Sequence, residues 1–270
     1  MGATDKIFAG AIPEIYDRLI VPMIFEPYAQ DLAERVAQFN PQNVLEIAAG
    51  TGVLTRAMAS RLNAETRIVA SDLNQPMLDR ASLRQLEDSR IVWQQADALA
   101  LPFEPQMFDA VACQFGVMFY PDKVQGHKEA YRVLKPGGHY FFNVWDRLET
   151  SEFTQEVTSA LEEMFPDDPP RFMARTPHGY WDQKAIRDEM SAAGFKSIAM
   201  ETLDKTSCAD SARDAAIAFC QGTPLRKEIE ARSPSGLEAA TEHVAQALMQ
   251  RFGSGAIEGR ISAHIVAAVR

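Results

Sequence analysis

Apolar positions along the chain fall into two rhythms. Over residues 12–39 they recur at helical spacing, through Ile15, Leu19, Ile24, Tyr28, Leu32 and Val36, which predicts a helical segment. Pro22 and Pro27 are expected to break it into two or three pieces, and Asn40-Pro41 to end it. From Asn43 onward short apolar runs alternate with amphipathic stretches. Strands are predicted at 44–47, 67–71, 91–95, 108–115 and 139–145, with helices at 52–62, 75–86 and 122–134. Lys135-Pro136-Gly137-Gly138 is read as the stop and turn before the fifth strand. The first three strands start about 24 residues apart, the length of a strand–helix repeat, so a parallel sheet with crossover helices follows. Beyond Asp146 the pattern loosens into helices at 153–164, 182–193, 212–219 and 237–251. A sixth strand is predicted at 196–203 and a last one at 260–269.

The bulk properties narrow the function. The 270 residues carry a net charge of −10, and Lys and Arg do not cluster, so nucleic acid is not expected as a partner. No apolar run reaches about 18 residues, so no membrane span is expected. Residues 1–10 lack the basic start and apolar core of a signal peptide. Cys113, Cys208 and Cys220 are too far apart for a metal or redox pair, and His243 and His264 show no ligand spacing, so no metal is expected. The expected setting is the cytoplasm and the expected partner a small molecule; oligomeric state is left open.

Chemistry concentrates where predicted strands end. Val44-Leu45-Glu46-Ile47-Ala48-Ala49-Gly50-Thr51-Gly52 runs from a strand through a small-residue turn into a helix, where backbone N–H groups can meet a ligand closely. Such a turn holds either a cofactor or nothing. A dinucleotide site needs a third glycine three residues on, and Thr55 stands there. Asp72, at the end of the second strand, can accept both hydroxyls of a ribose or simply cap the next helix. Asp97, just past the third strand, can accept an adenine amine, with the Ala98 N–H donating to the ring, or sit in a surface turn. Gln114 to Val117, at the end of the fourth strand, is expected to face a reacting centre. For catalysis the sequence offers His178 and Tyr180, as a base or aromatic wall or as packed loop residues, and Tyr16 (with Tyr28) as a lid or as core. His127 and His139 are read as structural, and the charged run Arg226 to Arg232 as a solvated helix face.

In this order, LEIAAGTG, SDLNQPML, ADALALPF, FDAVACQFGVMFYPD and RVLKPGG resemble the class I S-adenosylmethionine-dependent methyltransferases, in the small-molecule branch that includes the ubiquinone and menaquinone C-methyltransferases. The resemblance covers residues 43–145. It implies a Rossmann-like, doubly wound α/β sheet of seven strands, the seventh antiparallel between the fifth and sixth. It implies one domain over 1–270: N-terminal helices 1–40, a cofactor-binding core 43–145, and helical cover inserts at 148–180 and 206–259. It implies S-adenosylmethionine as cofactor, with Ala48, Gly50 and Gly52 along its methionine part and Asp72 on the ribose. Leu73 and Met77 would flank the adenine, Asp97 and Ala98 hold its edge, and Gln114 lie near the sulfonium. The family often has glycine where Ala48 stands. Two other readings remain: an NAD(P)-dependent oxidoreductase, and a non-catalytic cofactor-binding protein of the same fold.

Overall fold

Seven strands join in one sheet in the order β3-β2-β1-β4-β5-β7-β6. They are β1 (Asn43–Ile47), β2 (Arg67–Asp72), β3 (Ile91–Gln95), β4 (Phe108–Gln114), β5 (Leu134–Trp145), β6 (Ser197–Ala209) and β7 (Ile257–Val269). The computed structural model describes residues 5, 8, 10–85, 88–233 and 236–270. Leu86, the expected last residue of a helix, lies outside the described residues, as does most of the segment 1–10 read for a leader. β1 to β5 pair in parallel, and β7 runs antiparallel to β5, from His139 opposite Val269 to Trp145 opposite Ala263. The sheet is doubly wound: its order reverses between β1 and β4, the point at which open α/β sheets bind ligands beyond their carboxyl ends.

The central strands are buried on both faces, which is why they read as continuous apolar runs. Val44, Leu45, Ala110, Val111, Ala112, Tyr140 and Phe142 are fully buried. Helix Val53–Ala59 buries Leu54, Ala57 and Met58, and helix Gln75–Arg84 buries Met77, Leu78 and Ala81. Helix Lys123–Val133 starts at Asp122, whose carboxylate accepts the Gln125 N–H at 2.9 Å.

Three expectations are corrected. The prolines do not break the N-terminal helix. Ile12–Ile15, Tyr16–Phe25 and Glu26–Ala37 follow one another without interruption, and the middle stretch is wound as a π-helix. The wider winding takes in Pro22, which has no N–H to offer, and Pro27 follows two residues after that winding ends, in the first turn of the last stretch. The turn expected at Lys135 to Gly138 is instead a bulge within β5. Phe108 pairs with Leu134 and Ala110 with His139, so four residues stand opposite Asp109, with Gly137 at φ +78°. Finally, the charged run forms helix Leu225–Arg232, but its face is not simply solvated. The Glu228 carboxylate accepts the Arg171 N–H at 2.7 Å and pairs with Arg175 at 2.6 Å, and Arg175 also pairs with the buried Asp5.

The chain divides into two compact units. One holds Tyr28–Trp145, Tyr180–Leu203 and Ala263–Arg270; the other holds Met1–Pro27, Asp146–Gly179 and Asp204–Ser262. Within the second, helix Leu237–Phe252 packs against Ala212–Gln221 and Glu152–Met164, and Arg251 pairs with Glu156 at 2.9 Å.

Candidate functional site at the strand exits

Four parallel strands end on one edge, and the backbone ties their exits together. The Ala49 N–H donates to Ser71 O at 2.9 Å, linking the exits of β1 and β2. The Ala96 N–H donates to Asp72 O at 3.0 Å, linking β2 and β3. After β1 the chain passes through positive φ at Ala48 (57°), Gly50 (57°) and Gly52 (79°), then enters helix Val53–Ala59. A Cβ on Gly52 would lie 2.8 Å from the Trp93 ring and 3.2 Å from Ala81, so this glycine serves both the turn and the packing beneath it.

Asp72 closes the turn. One carboxylate oxygen accepts the Gly50 N–H at 2.9 Å and the other the Asn74 N–H at 2.7 Å. Asp72 is only 8% exposed. Burial raises its pKa, and the N–H groups of Asn74 and Gly50 only partly oppose this. An ionised carboxylate has about four lone-pair sites, so acceptor capacity remains for further donors. Asp97 lies two residues past Gln95, the register partner of Asp72. It is exposed, and one of its oxygens accepts the Leu99 N–H at 2.9 Å; Ala98 is buried. Leu73 is exposed, its carbonyl accepting from Gln95 Nε2 at 2.9 Å, whereas Met77 is buried. Gln114, at the end of β4, is buried opposite Asn143. The next residue, Phe115, sits at φ 51° with its N–H shared between Asn143 O and Oδ1, and its ring stacks on Trp145 with centroids 3.6 Å apart.

One residue escaped the sequence reading. Glu46 is buried within β1, and its carboxyl accepts from Thr55 Oγ1 at 2.5 Å. Burial pushes its pKa up to about 8 against the Thr55 hydrogen bond and the Arg56 charge, so it is protonated at neutral pH. The available signal was an acidic residue inside an apolar strand, with a hydroxyl on the following helix. Thr55 is thereby explained: it holds Glu46, at the position where a dinucleotide turn would need glycine.

The catalytic candidates are each engaged within their own surroundings. His178 and Tyr16 belong to the other unit. His178 is buried, its Nδ1 2.8 Å from Asp146 O, and burial holds its pKa at about 4. Tyr16 packs on Phe25, with centroids 5.3 Å apart. Tyr180 is in the same unit as Asp72, but its hydroxyl donates to Glu189 and its ring lies under the Lys123 ammonium. Tyr28 is core: fully buried, its hydroxyl donates to Leu203 O at 2.9 Å. Among the described residues no group of three His, Cys, Asp or Glu could hold a metal ion, and no helix is long and apolar enough to cross a membrane.

Comparison with known proteins gives consistent findings. The model of the ubiE/COQ5 methyltransferase family matches residues 11–212. A ubiquinone/menaquinone biosynthesis C-methyltransferase UbiE from Idiomarina loihiensis is 30% identical over 176 residues, covering 57% of this chain and 66% of that protein. Its namesake from Klebsiella pneumoniae is 33% identical over 178 residues, covering 58% and 67%. The match thus spans about two thirds of these relatives' length. Among solved structures, the YcgJ protein of Bacillus subtilis superposes with a TM-score of 0.58 at 18% identity, covering 90% of this chain and 98% of that one. Phosphoethanolamine N-methyltransferase 2 of Haemonchus contortus, solved with phosphomonomethylethanolamine and S-adenosylhomocysteine, gives 0.59 at 19% identity, covering 96% and 56%. At these identities the likeness is one of fold.

Proposed function

The chain belongs to the ubiE/COQ5 methyltransferase family, within the class I S-adenosylmethionine-dependent methyltransferases, and from that premise we propose that it moves a methyl group from S-adenosylmethionine to a small-molecule acceptor, with the strand exits of β1 to β4 as its cofactor site. One observation carries the placement. The Asp72 carboxylate is buried, bonded to the backbone of the Gly50 turn, and left with acceptor capacity. Such a group suits the two hydroxyls of a ribose through charge-assisted hydrogen bonds.

The remaining roles follow along the rim. Leu73 and Met77 flank the adenine, and Asp97 with the Ala98 N–H holds its edge. Ala48, Gly50 and Gly52 give the methionine part a close approach to backbone, and Gln114 lies toward the sulfonium. The residues present fit the group: a carboxylate with spare lone pairs, a turn at positive φ, and a buried polar end on β4. When bound, S-adenosylmethionine supplies a methyl group already activated on sulfur. What the protein adds is alignment of acceptor and donor, which can contribute about 7–11 kcal/mol of the barrier. No base is assigned, since His178 and Tyr180 are both engaged in packing. Acceptor choice is assigned to segments outside the core, the helical inserts at 148–180 and 206–259 and the N-terminal helices, because a shared core leaves acceptor choice open. A cytoplasmic setting fits the free thiols Cys113, Cys208 and Cys220.

The test is calorimetry of S-adenosylhomocysteine binding. The parent protein is expected to bind it and to leave NADH unbound. Asp72→Ala is expected to lose about 1.5–3 kcal/mol, on the order of ten- to a hundredfold, the scale of a charged hydrogen bond. Unchanged affinity in that variant would remove the assignment.

A further inference from the structure

At the point where the sheet order reverses, β1 and β4 pair through Glu46 and Ala112. Beyond it both exits turn through the left-handed region at residues that are not glycine, Ala48 at φ 57° and Phe115 at φ 51°. L-residues adopt this conformation at a cost, and such outliers gather where the surrounding structure must hold a shape. Between the two exits stands Gly116. A Cβ built on it would lie 2.5 Å from the Ala48 methyl and 2.7 Å from Cys113 Sγ. The Ala48 methyl therefore occupies the space that a side chain at 116 would need. The Cys113 sulfur is in turn hydrogen-bonded with the Tyr120 hydroxyl at 3.3 Å. At Gly116 the β4 exit thus meets both the Cys113 sulfur of its own strand and the Ala48 methyl of the β1 exit.

Glycine at 48 would reach the same backbone conformation without strain, and alanine holds it at a cost. We propose that Ala48 is a positioning residue: its methyl, seated against Gly116, wedges the β1 exit against the β4 exit and fixes the width of the opening between them, where the amino-acid part of the cofactor lies. This rests on the reading of the strand exits as the cofactor site. The wedge bears on the part of the cofactor near β1 and β4, whereas Asp72, at the end of β2, bears on the nucleoside.

Two ligands separate these effects: S-adenosylhomocysteine, which carries the amino-acid part, and adenosine, which lacks it. Binding of both is measured by calorimetry to the parent protein, Ala48→Gly and Asp72→Asn, with thermal unfolding of each protein free of ligand. Ala48→Gly is expected to weaken S-adenosylhomocysteine about three- to tenfold through a slackened turn, to leave adenosine within twofold, and to unfold no earlier than the parent, because glycine relieves the strained backbone. Asp72→Asn is expected to weaken both ligands. The wedge is refuted if Ala48→Gly binds S-adenosylhomocysteine as the parent does, or loses both ligands equally. If Asp72→Asn leaves both affinities intact, the failure lies in the placement of the nucleoside.

Discussion

Two aspartates at opposite edges of the same parallel sheet show how a binding carboxylate differs from a structural one. Asp109 begins β4 at the amino edge; Asp72 ends β2 at the carboxyl edge. Each accepts two backbone N–H groups: Asp109 from Asn43 at 2.8 Å and Gln42 at 3.1 Å, Asp72 from Asn74 at 2.7 Å and Gly50 at 2.9 Å. The difference is a cation. Lys135, thrown outward by the bulge in β5, reaches Asp109 at 2.6 Å. Burial pushes Asp109 up, but Lys135 and the backbone donors bring it below the ordinary carboxylate value. Burial raises Asp72 as well, and there the backbone N–H groups, with the Asn74 side-chain amide and no cation, do not bring it back down. The amino edge is electrostatically finished, whereas the carboxyl edge holds a carboxylate suited to one more set of donors.

The linkage signs differ accordingly. Asp109, depressed in the folded state, contributes stability that is fully present above its unfolded value of about 3.9 and is lost as pH falls through its lower folded value. Asp72, raised in the folded state, is a cost above its folded value, relieved as pH falls through it.

Exchanging the two roles gives the largest expected effect. Asp72→Ala should lose on the order of ten- to a hundredfold in S-adenosylhomocysteine affinity, while Asp109→Ala stays within about twofold in the same calorimetry. Equal losses would dissolve the contrast between the edges. Next comes Glu46, protonated up to about pH 8. Between about pH 4.3, the value for an unfolded glutamate, and pH 8, the folded protein holds a proton that the unfolded chain has released, so stability should fall as pH rises through that window. Glu46→Gln, which keeps an acceptor for Thr55, should flatten the slope and gain about 1–3 kcal/mol at pH 8 in denaturant titrations; a slope that persists would show that Glu46 is not its source. Asp109→Asn should cost about 1 kcal/mol, modest because the ion pair is partly exposed, and lower the melting temperature by about 2–4 °C without changing ligand affinity. The smallest effect is expected from Asp97→Asn. Asparagine can still accept the Leu99 N–H but bonds an adenine amine less strongly, which should cost about 0.5–1 kcal/mol of ligand affinity, read in a direct binding titration.

Much of the sheet could be read from the chain because the parallel strands are buried on both faces and recur at a regular interval. β3 was bounded to the residue, and β1 and β2 to within one. Asp72 and Asp97 could be placed at strand exits for the same reason. What escaped depends on three-dimensional accommodation. The π-winding at Pro22 appears only when the helix has somewhere to widen. The bulge opposite Asp109 depends on the pairing of β4 with β5, and a local reading of Lys-Pro-Gly-Gly sees only a turn. Glu46 looked like an ordinary strand residue because its environment comes from Thr55 and the neighbouring strands. At Ala48 the sequence showed only a small residue where the family often has glycine, since the left-handed conformation it holds is invisible in composition. His178 and Tyr180 were open in the sequence between a chemical role and a packed loop, because their partners, Asp146 O and Glu189, are brought to them only by the fold.

The central claim is that the exits of β1, β2 and β3 close around a single nucleoside. A crystal structure of the protein grown with S-adenosylhomocysteine tests it most directly. Both ribose hydroxyls should lie within hydrogen-bonding distance of the Asp72 carboxylate, with the adenine beside Asp97 and Ala98. A nucleoside bound elsewhere, with Asp72 touching only Gly50 and Asn74, would contradict it.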